Sequence, residues 1–453
     1  MKAKQINLIL STIFVVAVIC YSISAQVNAQ TLTPAQRAEL QAELTQVEAD
    51  QKQAAKDLAN AQAQSSSLTR DIDVLDAKIK SAQLKIKQET LLIQTLGNDI
   101  VQKQSHINDL EDHISKGKDT LAVILRKTHE LDTYSLPEVI LSQKTLAGFF
   151  TDIDSFQSVQ DGLKSTFEQL RNDEASTTRE KNSLTARQNA EMDARHTIQT
   201  EQANIQTDQK QQKVLLAASK GTEKEKTALI AQKQAQAAQI RAKLFSLRDA
   251  AAIPFGQALQ YATLASQKTG VRPAYLLAIL TQESALGKNV GACYVTDFNS
   301  GAGVNARTGN AVSKVMNPTR DIPPFKDILN KIGGDPTRQV VSCPLEIGWG
   351  GAMGPAQFIA STWVLFEDRI ASSLGISSTP DPWNPAHAFM AAAIYLGDLG
   401  ASGGTYSSER NAACKYYSGR ACGLVKGNTT SGNSVVAQAD NIQRTMIDPL
   451  AGL

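Results

Sequence analysis

Isoleucine recurs every seven residues along one stretch of this chain, at Ile72, Ile79, Ile86, Ile93, Ile100, Ile107 and Ile114. Leu75, Ala82, Leu96 and Leu110 follow members of that series by three. An α-helix turns once in about 3.6 residues. A strict seven-residue apolar repeat therefore keeps one stripe facing a partner only when helices wind around each other. A solitary amphipathic helix drifts off that period. The repeat predicts a coiled coil, weakened locally where Glu89 and Lys103 occupy the second seam position.

Composition shows where that regime ends. Between residues 31 and 250 the only prolines are Pro34 and Pro137, and there is no tryptophan or cysteine. The other twelve prolines and all three tryptophans, Trp349, Trp363 and Trp383, come later. A narrow helical assembly is expected over 30–249 and a domain with a wide core over 250–453. Pro137 disfavours helix at Leu136, within an unusually apolar segment, "TYSLPEVILSQKTLAGFFTDIDSF", at 133–156. A second long polar helix is expected from there to about 248. The simplest geometry is an antiparallel hairpin of two helices, each on the order of 150 Å long, with 133–156 at its tip. The bland reading of that segment is that its apolar residues only close the hairpin's end.

The chain begins "MKAKQINLILSTIFVVAVICYSISAQVNAQ". Lys2 and Lys4, an apolar core over 8–21 and small residues before Gln26 or Gln30 read as an export signal over 1–29, with Cys20 inside it. The alternative is an uncleaved anchor, because the apolar run approaches a short membrane span. The remaining cysteines are Cys293, Cys343, Cys414 and Cys422. An even number in an exported chain reads as two disulfides. Three connectivities are possible, and pairing near neighbours gives Cys293 with Cys343 and Cys414 with Cys422. A net charge of +2 carries no nucleic-acid signature.

In the second half the turn punctuation predicts short helices, with at most a small strand element. One helix is expected over roughly 256–267, and another starts near Pro273 and ends before Gly287. A third starts with Asn384 as cap and Pro385 as first helical residue. The second carries "LTQESALG" at 280–287. Leu276, Ile279, Leu280 and Glu283 share one helical side, which puts a carboxylate on an apolar face where ionisation is costly.

Several chemistries are excluded. The only histidine after residue 250 is His387, so a zinc site built on paired histidines is absent; no metal or other cofactor is expected. No nucleophile elbow or phosphate-cradling loop occurs. Carboxylate chemistry remains.

The N-terminal half resembles the coiled-coil regions of bacterial cell-wall hydrolases and hydrolase activators that work with a cell-division-type ABC transporter, with "LPEVILSQKTLAGFFTDIDSFQSV" matching their short-helix segment. That resemblance implies a transporter partner at the tip. The C-terminal half resembles the lysozyme-like lytic transglycosylases, closest to the membrane-bound lytic transglycosylase B type. The motifs "ESALG" (283–287), "GAMGPAQFIASTW" (351–363) and "YYSG" (416–419) stand in that family's order, and "DPWNPAHAFMAAAIYL" (381–396) fits its pattern. The implied fold is mainly α: a long coiled-coil hairpin followed by a mostly helical, lysozyme-like domain. The implied activity is cleavage of the MurNAc-GlcNAc β-1,4 bond of peptidoglycan glycan strands with 1,6-anhydro ring formation.

By residue, Glu283 matches the family's acid/base and Ser284 the serine that supports it. Gly351, Met353, Gly354, Gln357 and Phe358 match the loop and helix start that line the sugar groove. Tyr416 matches a tyrosine expected close to the glutamate. Tyr417 stands where the family usually has asparagine, and Ala360 where proline is common. Burial raises a carboxyl pKa, so a buried Glu283 would hold a proton near neutral pH. Asp297 and Glu346 are candidate second acids; either would imply lysozyme-type hydrolysis. A non-catalytic wall-binding scaffold or activator is the third reading. Trp349, beside glycines, is the best sugar platform among the tryptophans; the bland reading places all three in the core.

Overall fold

The structure is a computed structural model that describes residues 34–63, 68–132, 146–220, 235 and 252–450 except 347. The expected export signal and residues 133–145 of the apolar segment lie outside the described residues; 146–156 are helical, without described side chains. The chain is mainly helical. It divides into two compact units, Met1–Gln64 with Asp76–Asp208 and Ser65–Leu75 with Gln209–Leu453.

Among the described residues three helices precede residue 221: α1 (Pro34–Ala63), α2 (Leu68–Asp132) and α3 (Leu146–Lys220). The first arm is thus two helices where the sequence reading expected one. On α2 the heptad positions from Ile72 to Ile114 are all buried or half-buried. Leu75, Ile79, Ala82, Leu96, Ile107 and Leu110 are buried outright. A second seam, Leu91 and Asn98, is also buried one heptad apart, as are Val47 and Ala54 on α1. Polar side chains connect the helices. Arg37 donates to Gln102 at 3.0 Å and Gln51 to Gln88 at 2.8 Å. Lys103 pairs with Glu180 at 2.7 Å and Lys118 with Glu174 at 3.0 Å. In each set the numbers fall on one helix as they rise on the other, the order of antiparallel neighbours. These pairs lie at the surface, where each adds at most about 1 kcal/mol; the buried seam carries the assembly. Among the described residues no helix is long and apolar enough to cross a membrane.

From Phe255 the chain builds a wide core. Helix α4 (Phe255–Thr269) buries Phe255, Ala258, Ala262 and Ala265, one face at helical spacing. Helix α5 (Pro273–Ser284) starts on a proline, which tolerates the first turn because its missing N–H has no partner there. All seven residues from Ala274 to Leu280 are buried, so α5 is buried all round. A three-stranded antiparallel sheet follows in the order β1 (Cys293–Asp297), β2 (Ala302–Asn305), β3 (Ala311–Val312). Then come α6 (Ile322–Ile332), the short α7 (Ala360–Trp363), α8 (Glu367–Leu374), α9 (Pro385–Asp398), α10 (Tyr406–Ser418) and α11 (Asn428–Ile442). The Asn384 side chain accepts from the Ala386 and His387 N–H groups and so caps α9 as its sequence predicts. Helix α9 packs on α4, and α11 packs on both α5 and α10.

Both cysteine pairs sit at bonding distance, Cys293 with Cys343 at 2.03 Å and Cys414 with Cys422 at 1.98 Å. The first closes 50 residues and the second 8. Loop-closure entropy then predicts that removing the first by paired Cys→Ala exchange costs ~4 kcal/mol and the second ~2.5 kcal/mol. Denaturant titration of the two variants checks the ordering; equal losses would contradict it.

Candidate active site

Glu283 is the eleventh residue of the twelve-residue helix α5, half-buried where the rest of the helix is mostly enclosed. The helix stops abruptly. Ala285 and Leu286 take φ of 50° and 54°, left-handed values uncommon away from glycine, and Gly287 follows at 84°. The Ala285 N–H reaches back to the Leu280 and Thr281 carbonyls. Such backbone persists only where surrounding contacts hold it, and it concentrates at functional sites.

Ser284 supplies the hold. Its hydroxyl donates to the Pro355 carbonyl at 2.6 Å and accepts the Gly287 N–H at 2.9 Å. The first bond ties the end of α5 to the "GAMGPAQF" loop. That loop is internally braced: the Met353 N–H donates to the Phe358 carbonyl at 2.9 Å, and the Gln357 side chain donates to the Gly354 carbonyl at 2.7 Å. Gln357 is a further non-glycine residue at positive φ, 53°. Gly351, Met353, Gly354 and Phe358, expected along a groove, are buried, whereas Gln357 keeps surface. Phe358 belongs to an aromatic chain with Trp363, Phe366 and Tyr395, ring centroids 5.8–6.1 Å apart. These buried residues shape the loop from beneath.

Helix α10 brings the tandem tyrosines. Tyr416 points inward, stacks near Tyr395 at 5.4 Å and directs its hydroxyl to the Ala356 carbonyl at 3.4 Å. Tyr417 faces outward, 41% exposed. Its hydroxyl lies 3.4 Å from Oε1 of Gln282, the residue before Glu283. Both tyrosines lie between Cys414 and Cys422, so the small disulfide loop closes around them.

Burial pushes the Glu283 carboxyl from its ordinary 4.5 up to about 7, while the Tyr417 hydroxyl, which favours the ionised form, pulls it down. Burial, reinforced by the charge of Glu283, raises both tyrosines, so each remains a proton donor at neutral pH. No second carboxylate contributes to the Glu283 balance among the described residues. Asp297 is held below its ordinary range, first by the Ser300 hydroxyl at 2.5 Å and then by the Asn299 N–H at 2.9 Å, and so stays ionised within a turn. Glu346 is exposed.

The other residues weighed from sequence take structural places. His387 accepts the Asp381 N–H at Nδ1, 2.9 Å, and burial lowers its pKa, leaving it neutral. Trp363 is wholly buried, and Trp383 donates to the Val340 carbonyl at 3.1 Å. Trp349 is half-buried. The described residues hold no metal-binding cluster of His, Cys, Asp and Glu.

Sequence reasoning missed Arg272, Tyr275 and Glu409. Arg272 forks onto Glu409 at 2.9 and 2.7 Å, and Tyr275 donates to the Glu409 carbonyl at 2.7 Å. Their partners lie over 130 residues away, and no local pattern marks such a pair. No protein-family model, curated protein or solved structure matches the chain.

Chemically, the site offers one carboxyl that both holds and releases a proton near neutral pH, beside a phenol that can donate to its ionised form.

Proposed function

We propose that this chain is an exported peptidoglycan lytic transglycosylase, with Glu283 as its one acid and base. The observation that carries the reading is a single half-buried carboxyl, raised to about 7 by its surroundings, with no second acid contributing. Glu283 protonates the leaving glycosidic oxygen as the C1–O bond breaks, and an oxocarbenium-like centre forms at C1. Its carboxylate, accepting from Tyr417, then takes the proton of the C6 hydroxyl as O6 bonds to C1. The 1,6-anhydro ring closes, Glu283 regains its proton, and no water is consumed. Ser284 holds the carboxyl's helix end against the loop, and Gln357 is the loop residue left to meet sugar.

Mass spectrometry of digested peptidoglycan tests this. Anhydro-ended fragments are expected. Reducing ends would assign a lysozyme-type muramidase instead, and no fragments a glycan-binding scaffold. The turn that occupies Asp297 is one reason to favour the transglycosylase over the muramidase.

The acid form of Glu283 is the active one, so cleavage should be greatest below about pH 7 and decline as pH rises through it. Tyr417→Phe removes the hydroxyl that favours ionisation and should move that decline to higher pH. A pH–rate profile of kcat/KM checks both; an unmoved limb in the variant would refute the role given to Tyr417.

In this reading α1, α2 and α3 form a coiled-coil hairpin that positions or restrains the catalytic domain. The buried heptads support it, and the two cysteine pairs fit an extracytoplasmic setting. The apolar sequence at 133–156 supports docking there on a membrane transporter of the cell-division type. Exchanging Phe149 and Phe150 for glutamate should weaken co-purification with that partner and leave cleavage by the full chain on isolated glycan unchanged. Undiminished binding would remove the tip from the interface.

A further inference from the structure

A cavity of about 510 Å³ lies where α4, α8, α9 and the short turn Ala401–Gly403 meet. That volume suits a small-molecule site. None of the lining residues belongs to the site around Glu283. Ile394 lines the cavity, whereas the next residue on α9, Tyr395, packs with Phe358 and Tyr416. Two cross-links fix the walls. Arg369 of α8 forks onto Asp398 of α9 at 2.6 and 2.8 Å. Ser402 donates to the Thr269 carbonyl, at the end of α4, at 2.7 Å.

The fork satisfies Arg369 and Asp398 with each other. Two further charges line the same cavity, Lys268 from the last turn of α4 and Asp368 from the first turn of α8. They do not reach each other, and among the described residues neither forms an ion pair. Ser372 and Ser373 also line it. Ser372 follows Asp368 by one helical turn, so the two share a side of α8. Each charge suits the dipole of its own helix end. That accounts for its sign, but not for the space that both face. Two cations and two carboxylates on one wall leave no net field to favour a simple ion. A ligand carrying both charges complements the unpaired two.

We propose that this cavity binds a zwitterion, an amino acid or short peptide with a free ammonium and a free carboxylate. The carboxylate pairs with Lys268 and the ammonium with Asp368, and the serine hydroxyls meet the ligand's backbone polar groups. Lys268 and Asp368 are exposed, so either contact alone is weak. Affinity comes from making both at once. The site is independent of the chemistry assigned to Glu283.

The test is a ligand-detected NMR titration of the full chain with three probes of one size: alanyl-alanine, its N-acetylated form and its C-terminal amide. The free dipeptide should bind saturably. Each blocked form should bind about tenfold more weakly, the loss of one charge-assisted contact. Lys268→Met should bind the free dipeptide no better than the native chain binds the amide. Asp368→Asn should bind it no better than the native chain binds the acetylated form. Both side chains are exposed, so neither substitution threatens the fold. No saturation by the free dipeptide, equal affinity for all three probes, or undiminished binding by either variant overturns the proposal. The titration involves no glycan, so an inactive native chain would sink the transglycosylase reading while leaving this result standing.

Discussion

Glu283→Gln should lower glycan cleavage by about 10²–10⁴-fold, the range general acid–base catalysis supplies, without loss of fold. Glutamine keeps the shape of the side chain and an oxygen for Tyr417, but has no proton to give. The variant should also show a distinctive stability profile. The folded pKa of Glu283, about 7, lies above its ordinary 4.5. The native state therefore binds this proton more tightly than the unfolded chain. The stability so contributed is fully present below about 4.5 and is lost as pH rises through about 7. Above that, ionised Glu283 costs the fold about 3 kcal/mol relative to a neutral side chain. Denaturant unfolding should find the Gln variant more stable than the native protein at pH 8 and equal to it at pH 4. Coincident curves at both would mean that Glu283 is not held in a desolvated site, and wild-type rates in the variant would end the acid–base assignment.

Gly354→Ala should be the most damaging small change in the loop. Gly354 sits at φ 60°, and a Cβ there would overlap the Pro382 carbonyl oxygen, with the Trp383 Cα close behind. Backbone cannot rotate away as a flexible side chain would. The same residue's carbonyl accepts both the Gln357 N–H and its side chain. Displacement therefore spreads to Pro355, where Ser284 anchors the acid's helix end. A loss of about 3 kcal/mol or more is expected, in the range reserved for named steric failures, with cleavage impaired in whatever remains folded. Gly375→Ala is the control. Gly375 has φ 66° but nothing within 4 Å of the added atom, so only the left-handed backbone penalty of about 1 kcal/mol applies. Equal thermal shifts for the two variants would show that the Pro382 contact relaxes freely.

What could be read from the chain was local or periodic. The isoleucine repeat marks a buried helical seam because side-chain direction follows from position on the helix. Pro273 and Asn384 mark helix starts because a missing N–H and a short side-chain acceptor act within one turn. The apolar face beneath Glu283 was likewise legible, although only packing showed α5 enclosed on every side.

The tandem tyrosines mark the boundary. Their presence is a fact of sequence; that Tyr416 turns inward to Tyr395 while Tyr417 keeps its surface beside Gln282 is a fact of how the domain packs. Met353 and Phe358 could be named as site residues, but only the packed loop places them beneath it. The Ser284–Pro355 and Arg272–Glu409 contacts had no sequence signal. The sequence by itself determined the helical seam, the helix starts and the carboxyl on an apolar face, because these follow from neighbours a few residues away. Tertiary structure alone decided that Tyr417 comes to lie beside Gln282 and that Glu409 receives Arg272, because those contacts span more than 130 residues.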